Sequence, residues 1–516
     1  MRKILFILYI LNVSVLSAQQ VEWAVSEPYP SYVTRVNTVV HDNFGNTFIS
    51  GRYNFGTDYK IFIIKYNSAG IKQWQKVYND GTGVIGLCTD ISGNLYTTMF
   101  AMTIEGVSYT PNSDVLFTKY DPNGNMLWIK PIKMYMRLSE HTDAQNSIIM
   151  TGAVVDTVNL GNGFILSAPP GEDRLFIAKF NTNGDCIWAQ QNDGGKYPLL
   201  CTSNGDMYAK AELYGQTLTV GQGNNQITLN PADGEQYVAR YNSAGPLIWV
   251  KQDDFSCIAP DNNGNLYSLI PDVSNTPQNS HRNLYLTKYD SNGNILWKRT
   301  HLFSPDWYKF TMKCNANGDI YFTGGFTNYL TIDSTTINDG GNTRTFVAKI
   351  DSSGTLKWIT VSSGTGGCGA KDITIANGNE IYITGDMGGG ENIFGDHTIN
   401  QAAGVFAVKI IDNEIVSTAI GKPALTTSST LNVFPNPGSS LITISFSSNK
   451  TDEKYEYHIS NALGQTIYSD SIAQFSGTYS RQLNLSAFPK GNYYITLYSN
   501  SNRNKIVKEV KKIVLQ

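Results

Sequence analysis

The side chains best suited to hold a ligand stand close together: His301, then Asp306, Trp307 and Tyr308. An exposed indole can stack on a sugar ring while neighbouring carboxylates and amides bind its hydroxyls, so the group has the chemistry of a carbohydrate subsite. Three further acids extend the same potential: Asp80 after Tyr78-Asn79, Asp193 after Asn192, and Asp254 after Asp253. A competing reading, the more usual one for such a residue, makes Trp307 a loop aromatic that covers the end of a sheet, which its amphipathic character suits.

The usual signatures of a reaction are absent. The chain has no His-Glu-x-x-His, no Gly-x-Ser-x-Gly, no Cys-x-x-Cys and no phosphate loop. Its six histidines, His41, His141, His281, His301, His397 and His458, are scattered. A glycosidase needs two carboxyl groups on either side of one bond, but the adjacent Asp253 and Asp254 would point opposite ways on a strand. No catalytic residue, metal or cofactor is assigned, and the chain reads as a binding protein rather than an enzyme. A glycan-active hydrolase or lyase is the alternative.

What must position these residues is a repeat. A lysine or arginine is followed nine residues later by tryptophan at Lys65/Trp74, Lys119/Trp128, Lys179/Trp188, Arg240/Trp249, Lys288/Trp297 and Lys349/Trp358. Trp307 is the one tryptophan that belongs neither to this register nor, like Trp23, to an unmatched copy of it. Between successive tryptophans comes a second element, such as Asp90-Ile-Ser-Gly-Asn94 before Tyr96 or Asp261-Asn-Asn-Gly-Asn265 before Tyr267, with weaker copies around Asn146, Gly205 and Gly378. Gly supplies positive φ and Asn or Asp tolerates it, so both elements read as hairpin turns. Their oxygens suggest calcium, but none of the loops continues to the bidentate Glu of an EF-hand.

Each unit, of roughly 50 residues, becomes four antiparallel strands, A to D, and radial repetition of such sheets makes a propeller with one blade per unit. The expected fold is all-β, a seven-bladed β-propeller over residues 19–420 followed by a small C-terminal β-sandwich. The seventh unit has Lys409 but no tryptophan after it, whereas Trp23 has no unit before it. The strand around Trp23 is therefore expected to close the last blade. Irregular inserts at 99–114, 153–174, 211–236, 271–283, 326–345 and 386–404 all fall on one face, the natural place for binding.

Charged residues make up only 16% of the 516-residue chain and the net charge is -3, which leaves no broad basic field for nucleic acid. Residues 1–18 have a basic start, a short apolar run and Ser17-Ala18, the pattern of a signal peptide. No later stretch is long and apolar enough to span a membrane. Six cysteines in an exported chain invite disulfides, but Cys88, Cys201, Cys257 and Cys314 sit near equivalent repeat positions, which favours small buried hydrophobes. Cys186 and Cys201 are close enough along the chain to pair.

The alternation of Lys-Tyr-Asp-x-x-Gly-x-x-x-Trp with Asp-x-x-Gly-Asn-x-Tyr-x-Thr-Gly, well copied at 290–297 and 316–324, resembles the bacterial β-propeller (SBBP) repeats. That resemblance covers residues 21–411 and implies a fold and export, not a reaction. A linker, 421–430, leads to a different composition. Val433-Phe434-Pro435-Asn436-Pro437, Leu441 to Ile444, Asn461-Ala-Leu-Gly464-Gln465, Leu483 to Leu485 and Lys490-Gly491-Asn492-Tyr493-Tyr494 occur in the order of the type A C-terminal sorting domain of the type IX secretion system. The resemblance of residues 431–516 to that domain implies the secretion machinery as partner and a secreted or surface location in a Gram-negative bacterium. An extracellular glycan or protein is the expected ligand.

Overall fold

A computed structural model describes the chain except residues 1–18, 30–33, 56–57, 80–82, 101–102, 105, 110–113, 134–138, 144–145, 155, 171, 173, 193–195, 204, 214, 216, 222–224, 254, 272–282, 303–309, 334, 340, 414–430, 435–440, 449–453, 462–465, 473–476, 502–503 and 516. The expected signal peptide and linker lie outside the described residues. Contacts divide the chain into two units, Met1–Ile415 and Val416–Gln516.

Among the described residues, unit 1 holds seven four-stranded antiparallel sheets. In sheet 1 the strands are A (Thr34–His41), B (Thr47–Phe55), C (Asp58–Tyr66) and D (Lys72–Asn79), each paired with the next. The A strands of sheets 2 to 7 are Gly83–Thr89, Ser139–Thr142, Lys196–Ser203, Cys257–Pro260, Thr311–Cys314 and Cys368–Ala376. Each A strand packs against that of the next sheet, and the A strand of sheet 7 packs against that of sheet 1. Sheet 7 draws its outer strand from the other end of the chain: Gln19–Pro28 pairs antiparallel with Gly404–Asp412, and Trp23 stands opposite Lys409.

That register recurs in the other sheets. Lys65 is opposite Trp74, Lys119 opposite Trp128, Lys179 opposite Trp188, Arg240 opposite Trp249, Lys288 opposite Trp297 and Lys349 opposite Trp358. In two of these pairs both members reach into the C–D turn of the following sheet, and a third pair reaches the end of that sheet's C strand. Lys65 Nζ and Trp74 Nε1 donate to Pro122 O at 2.8 and 3.2 Å. Arg240 and Trp249 both donate to Ser291 O. Lys349 and Trp358 reach the two oxygens of Asp412 at 2.8 and 3.2 Å. The tryptophan from the first strand does the same in sheet 1, where Trp23 Nε1 donates to Ser68 O at 3.0 Å.

Glycine at the fourth turn position has two reasons to be there. Gly184 has φ +72, and a Cβ added to it would lie 2.7 Å from the Trp128 ring. At Gly70 the facing ring is Trp23, at 2.9 Å. In the A–B turn of sheet 3 the same positive φ, +63, is carried by Asn146, whose N–H donates to Asp143 O. Asn is the residue that best tolerates that conformation after Gly, so this turn keeps its shape without glycine.

Cys88 and Cys257 are buried and Cys314 is half-buried, but the positions are not closely equivalent. Cys88 and Cys201 stand opposite Tyr96 and Tyr208, whereas Cys257 faces Leu269 and Cys314 faces Ile320. Cys186 is a free buried thiol, its pKa pushed up to about 12 by burial, and is not paired with Cys201.

Unit 2 contains a three-stranded sheet (Asn432–Phe434, Leu441–Ser448, Gly477–Asn484) and a four-stranded one (Lys454–Asn461, Thr466–Ile472, Gly491–Ser501, Asn504–Leu515). Ile442, Ile444 and Phe446 of the first meet Tyr457, Ile459, Ile495, Leu497 and Ile513 of the second in one apolar core. Alternation of apolar and polar residues along both sets of strands places one face of each sheet inside.

Gly184→Ala and Gly161→Ala separate the two demands on turn glycines. Gly161, at φ +86, has nothing within 4 Å of an added Cβ. Both substitutions meet a backbone cost of about 1–2 kcal/mol. Gly184→Ala adds overpacking against Trp128 and is expected to lose about 1–3 kcal/mol more in denaturant unfolding. Equal losses would mean that the indole contact carries no weight.

Candidate functional site

Of the residues singled out for binding, Asp80, Asp193, Asp254, Asp306, Trp307 and Tyr308 lie outside the described residues. His301 lies on the D strand of sheet 5 (Ile295–Leu302), opposite Leu284. Their described neighbours serve packing. Tyr78 OH is 2.7 Å from Tyr120 OH in a buried contact. Asn192 is buried; its Nδ2 donates to Tyr241 OH at 2.7 Å and its Oδ1 accepts from Gly221 N at 3.2 Å.

The inserts expected to form an open binding face are ordered differently. Five of the six contain a β-hairpin: Thr103–Ile104 with Val107–Ser108, Thr157–Asn159 with Ile165–Ser167, Leu218–Val220 with Ile227–Leu229, Tyr329–Ile332 with Thr335–Asn338, and Gly390–Phe394 with His397–Gln401. The sixth, around 272–282, lies outside the described residues. Ile104, Val158, Leu160, Leu330, Ile332, Phe394 and Ile399 are buried in the cores of unit 1. The hairpin strand at 157–159 lies against the D strand of sheet 2, and that at 329–332 against the D strand of sheet 5. Much of the irregular sequence therefore covers outer strands instead of offering a free surface. Nothing in the sequence announced this, because strands of only two to five residues have too few positions to show a period.

Polar chemistry among the described residues concentrates on the A strands where sheets 6, 7 and 1 meet. Asp372 follows a bulge in the A strand of sheet 7. Its Oδ2 accepts from Thr38 Oγ1 at 2.7 Å and from Val39 N at 3.0 Å, while Oδ1 accepts from Thr311 Oγ1 at 3.4 Å. One carboxylate thus links three successive sheets. Asp386 accepts Val36 N–H at 2.8 Å and faces Lys371 at 3.8 Å. Burial raises its carboxyl pKa, against the pull of that N–H, Lys371 and Arg35. Sequence reading missed Asp372; an acid on an A strand away from any turn was the available signal.

Nearer the A–B turns a second set of contacts runs from sheet to sheet. His41 Nδ1 is 3.0 Å from Thr374 Oγ1, Thr89 Oγ1 donates to His41 O at 2.7 Å, and Thr142 Oγ1 donates to Thr89 O at 2.8 Å. The His41 ring stacks on Tyr382, with centroids 6.0 Å apart. Burial pushes its pKa down to about 4, outweighing Asp42 and Glu380, which favour the cation, while Lys313 opposes it. The turn carboxylates are engaged as well: Asp90 Oδ1 accepts Ser92 N and Asn94 N, and Oδ2 accepts Asn94 Nδ2 and Tyr96 OH. These oxygens shape turns.

Residues 432–516 match the family described as the secretion system C-terminal sorting domain. The ordered motifs of this tail are those of type A in the type IX system, so the chain is a protein exported by that route, secreted or delivered to the cell surface. The match does not extend to the repeat block. No curated protein matches the sequence.

Solved structures similar to the chain differ widely in kind. One is a protein of unknown function from Bacteroides caccae, 10% identical with a TM-score of 0.30, the match covering 64% of this chain and 93% of that one. Polysaccharide lyase Uly1 is 9% identical with a TM-score of 0.40, over 73% of this chain and 90% of its own. A fungal alcohol oxidase of the AA5 family, in complex with copper, is 12% identical with a TM-score of 0.37, over 97% and 100%. Likeness at this level carries no argument about activity. Among the described residues no helix is long and apolar enough to cross a membrane, and no group of three or more His, Cys, Asp or Glu is placed to hold a metal ion.

His41 gives unit 1 a pH dependence of definite sign. Its neutral form is favoured by folding, whereas the unfolded chain takes up a proton below about pH 6.5. Stability from this group is full above that pH and is lost as pH falls toward 4. The loss is on the order of 3 kcal/mol. His41→Asn is expected to flatten denaturant midpoints measured across that window; an unchanged slope would contradict the assignment.

Proposed function

We propose that unit 1 is a seven-bladed β-propeller, closed by Gln19–Pro28 as the outer strand of its last blade, and that it works outside the cell as a non-catalytic binding or scaffold protein. The cyclic packing of the A strands and the pairing of Trp23 with Lys409 support the closure. The observation that carries the functional reading is the fate of the repeat's reactive-looking side chains. Lys119 bonds to Thr182 O, Lys288 to Ser352 O, Lys179 to Asp143, and Lys409 to Glu22 and Glu380. A repeated cation committed to contacts between sheets or within one encodes a frame, not a reaction.

Binding then belongs to the connections between repeats. The reading keeps the group around Trp307, with Asp306, Tyr308, His301, Asp80, Asp193 and Asp254, as the ligand-binding surface, and an extracellular glycan as the ligand class that this chemistry suits. The test is a polysaccharide panel on residues 19–420, measuring bound ligand and released product together, with Trp307→Ala alongside. Binding that falls at least about tenfold in the variant is the expected result, a loss of 1.4 kcal/mol or more. Released product would overturn the non-catalytic reading, and binding unaffected by the substitution would move the site elsewhere.

A further inference from the structure

Eight Asn-Gly pairs occur in the chain, beginning at Asn123, Asn162, Asn183, Asn204, Asn263, Asn292, Asn317 and Asn377. In such a pair the glycine nitrogen can attack the amide carbon of the preceding asparagine, because no Cβ obstructs the approach. The new N–Cγ bond closes a succinimide, the Cγ–Nδ2 bond breaks, and ammonia departs with the proton from the backbone nitrogen. Water then opens either imide carbonyl to leave aspartate or isoaspartate. Water is the only co-reactant.

The fold treats these pairs unequally. Five glycine N–H groups are held inside turns: Gly124 donates to Asp121 O at 2.9 Å, Gly184 to Asn181 O at 2.9 Å, Gly264 to Asp261 O at 3.1 Å, Gly293 to Asp290 O at 3.0 Å and Gly318 to Asn315 O at 3.1 Å. The attacking nitrogen is thereby occupied, and the asparagine N–H is held too, as at Asn123 and Asn292, by the side chain that opens the turn. Asn204 lies outside the described residues. Asn162 and Asn377 differ: φ is +50 and +51, and +81 and +77 at the glycines that follow. Their turns are closed by Phe164 N to Gly161 O and Asn379 N to Ala376 O. Among the described residues, neither Gly163 N–H nor Gly378 N–H has an acceptor, and both asparagines are exposed.

We propose that Asn162 and Asn377 are sites of spontaneous deamidation, and that modification at Asn377 weakens the sheet built from both ends of unit 1. Asn377 Nδ2 donates to Glu380 Oε2 at 2.9 Å. The same oxygen accepts Tyr382 OH, and Glu380 Oε1 pairs with Lys409 at 3.0 Å, the lysine opposite Trp23. Deamidation replaces the donor by a carboxylate facing Glu380. The isoaspartyl product also lengthens the main chain by one methylene inside the three-residue connection between Ala376 and Glu380. Asn162 Nδ2 donates only to Cys186 O, so its conversion sets no charge against another.

The full chain, held at mildly alkaline pH and then digested, reports the one-dalton mass gain and isoaspartyl content of each pair. Modification at Asn162 and Asn377 is expected to run at least about fivefold faster than at Asn123, Asn183, Asn263, Asn292 and Asn317, the factor that corresponds to one net hydrogen bond. Equal or faster modification at those five, or none at the two sites, overturns the assignment. The second claim is read from Asn377→Asp and Asn162→Asp: the thermal midpoint falls in the first and holds in the second. Equal midpoints would sever the link between Asn377 and the Lys409 network.

Discussion

Six of the seven sheets of unit 1 grip the following sheet with a hydrogen bond from the lysine, arginine or tryptophan of the repeat register, while in sheet 3 Lys179 pairs with Asp143 of its own sheet. The donor is the lysine or arginine, the indole N–H opposite it, or both, and the acceptor is a main-chain carbonyl of a C–D turn or, at Asp412, a carboxylate. A buried ammonium left without a partner costs about 3–5 kcal/mol, so the cation makes the neighbouring turn indispensable. The turn in turn needs glycine where the indole lies flat against it. Three positions in two different sheets are thereby tied to one another. This coupling accounts for a lysine persisting where leucine would bury more easily.

The same constraint explains why the first strand belongs with the last sheet. Lys409 is buried, and burial alone would lower its pKa, but Glu22 and Glu380 outweigh that and raise it. Glu22 comes from the strand that brings Trp23, so one segment supplies both the counter-charge and the indole. His41 and Asp372 add further ties between sheets 7 and 1. Under the proposed closure, the two ends of unit 1 meet in sheet 7, and side chains bind that sheet to sheet 1.

Much of this was legible because the repeat states its own contacts. A spacing of nine residues between Lys65 and Trp74 is what a tight turn plus one bulged position requires to bring them opposite each other. The orphan Trp23 and the tryptophan-less seventh unit were visible as two halves of one register. The A–B turn at Asn146 looked poor only because glycine was the residue sought. Less legible were features that do not repeat. The insert hairpins bury Val158 or Leu330 through shape, and Asp372 acts through a bulge that displaces its register. Trp307 stood out because it lies outside the repeat, which marks it as different without saying what it touches.

Trp23 and Trp249 allow the most direct test of the account, since each indole donates at 3.0 Å to a turn carbonyl of a neighbouring sheet, Ser68 O and Ser291 O. One tryptophan lies in the end strand and the other in the middle of the repeat. Equilibrium denaturation of Trp23→Phe and Trp249→Phe should show the same loss, about 1–3 kcal/mol, in a single transition. A Trp23→Phe variant as stable as the parent, or one in which a separate early transition leaves the other sheets intact, would contradict the claim that the end strand is held by the same grip as the strand of Trp249.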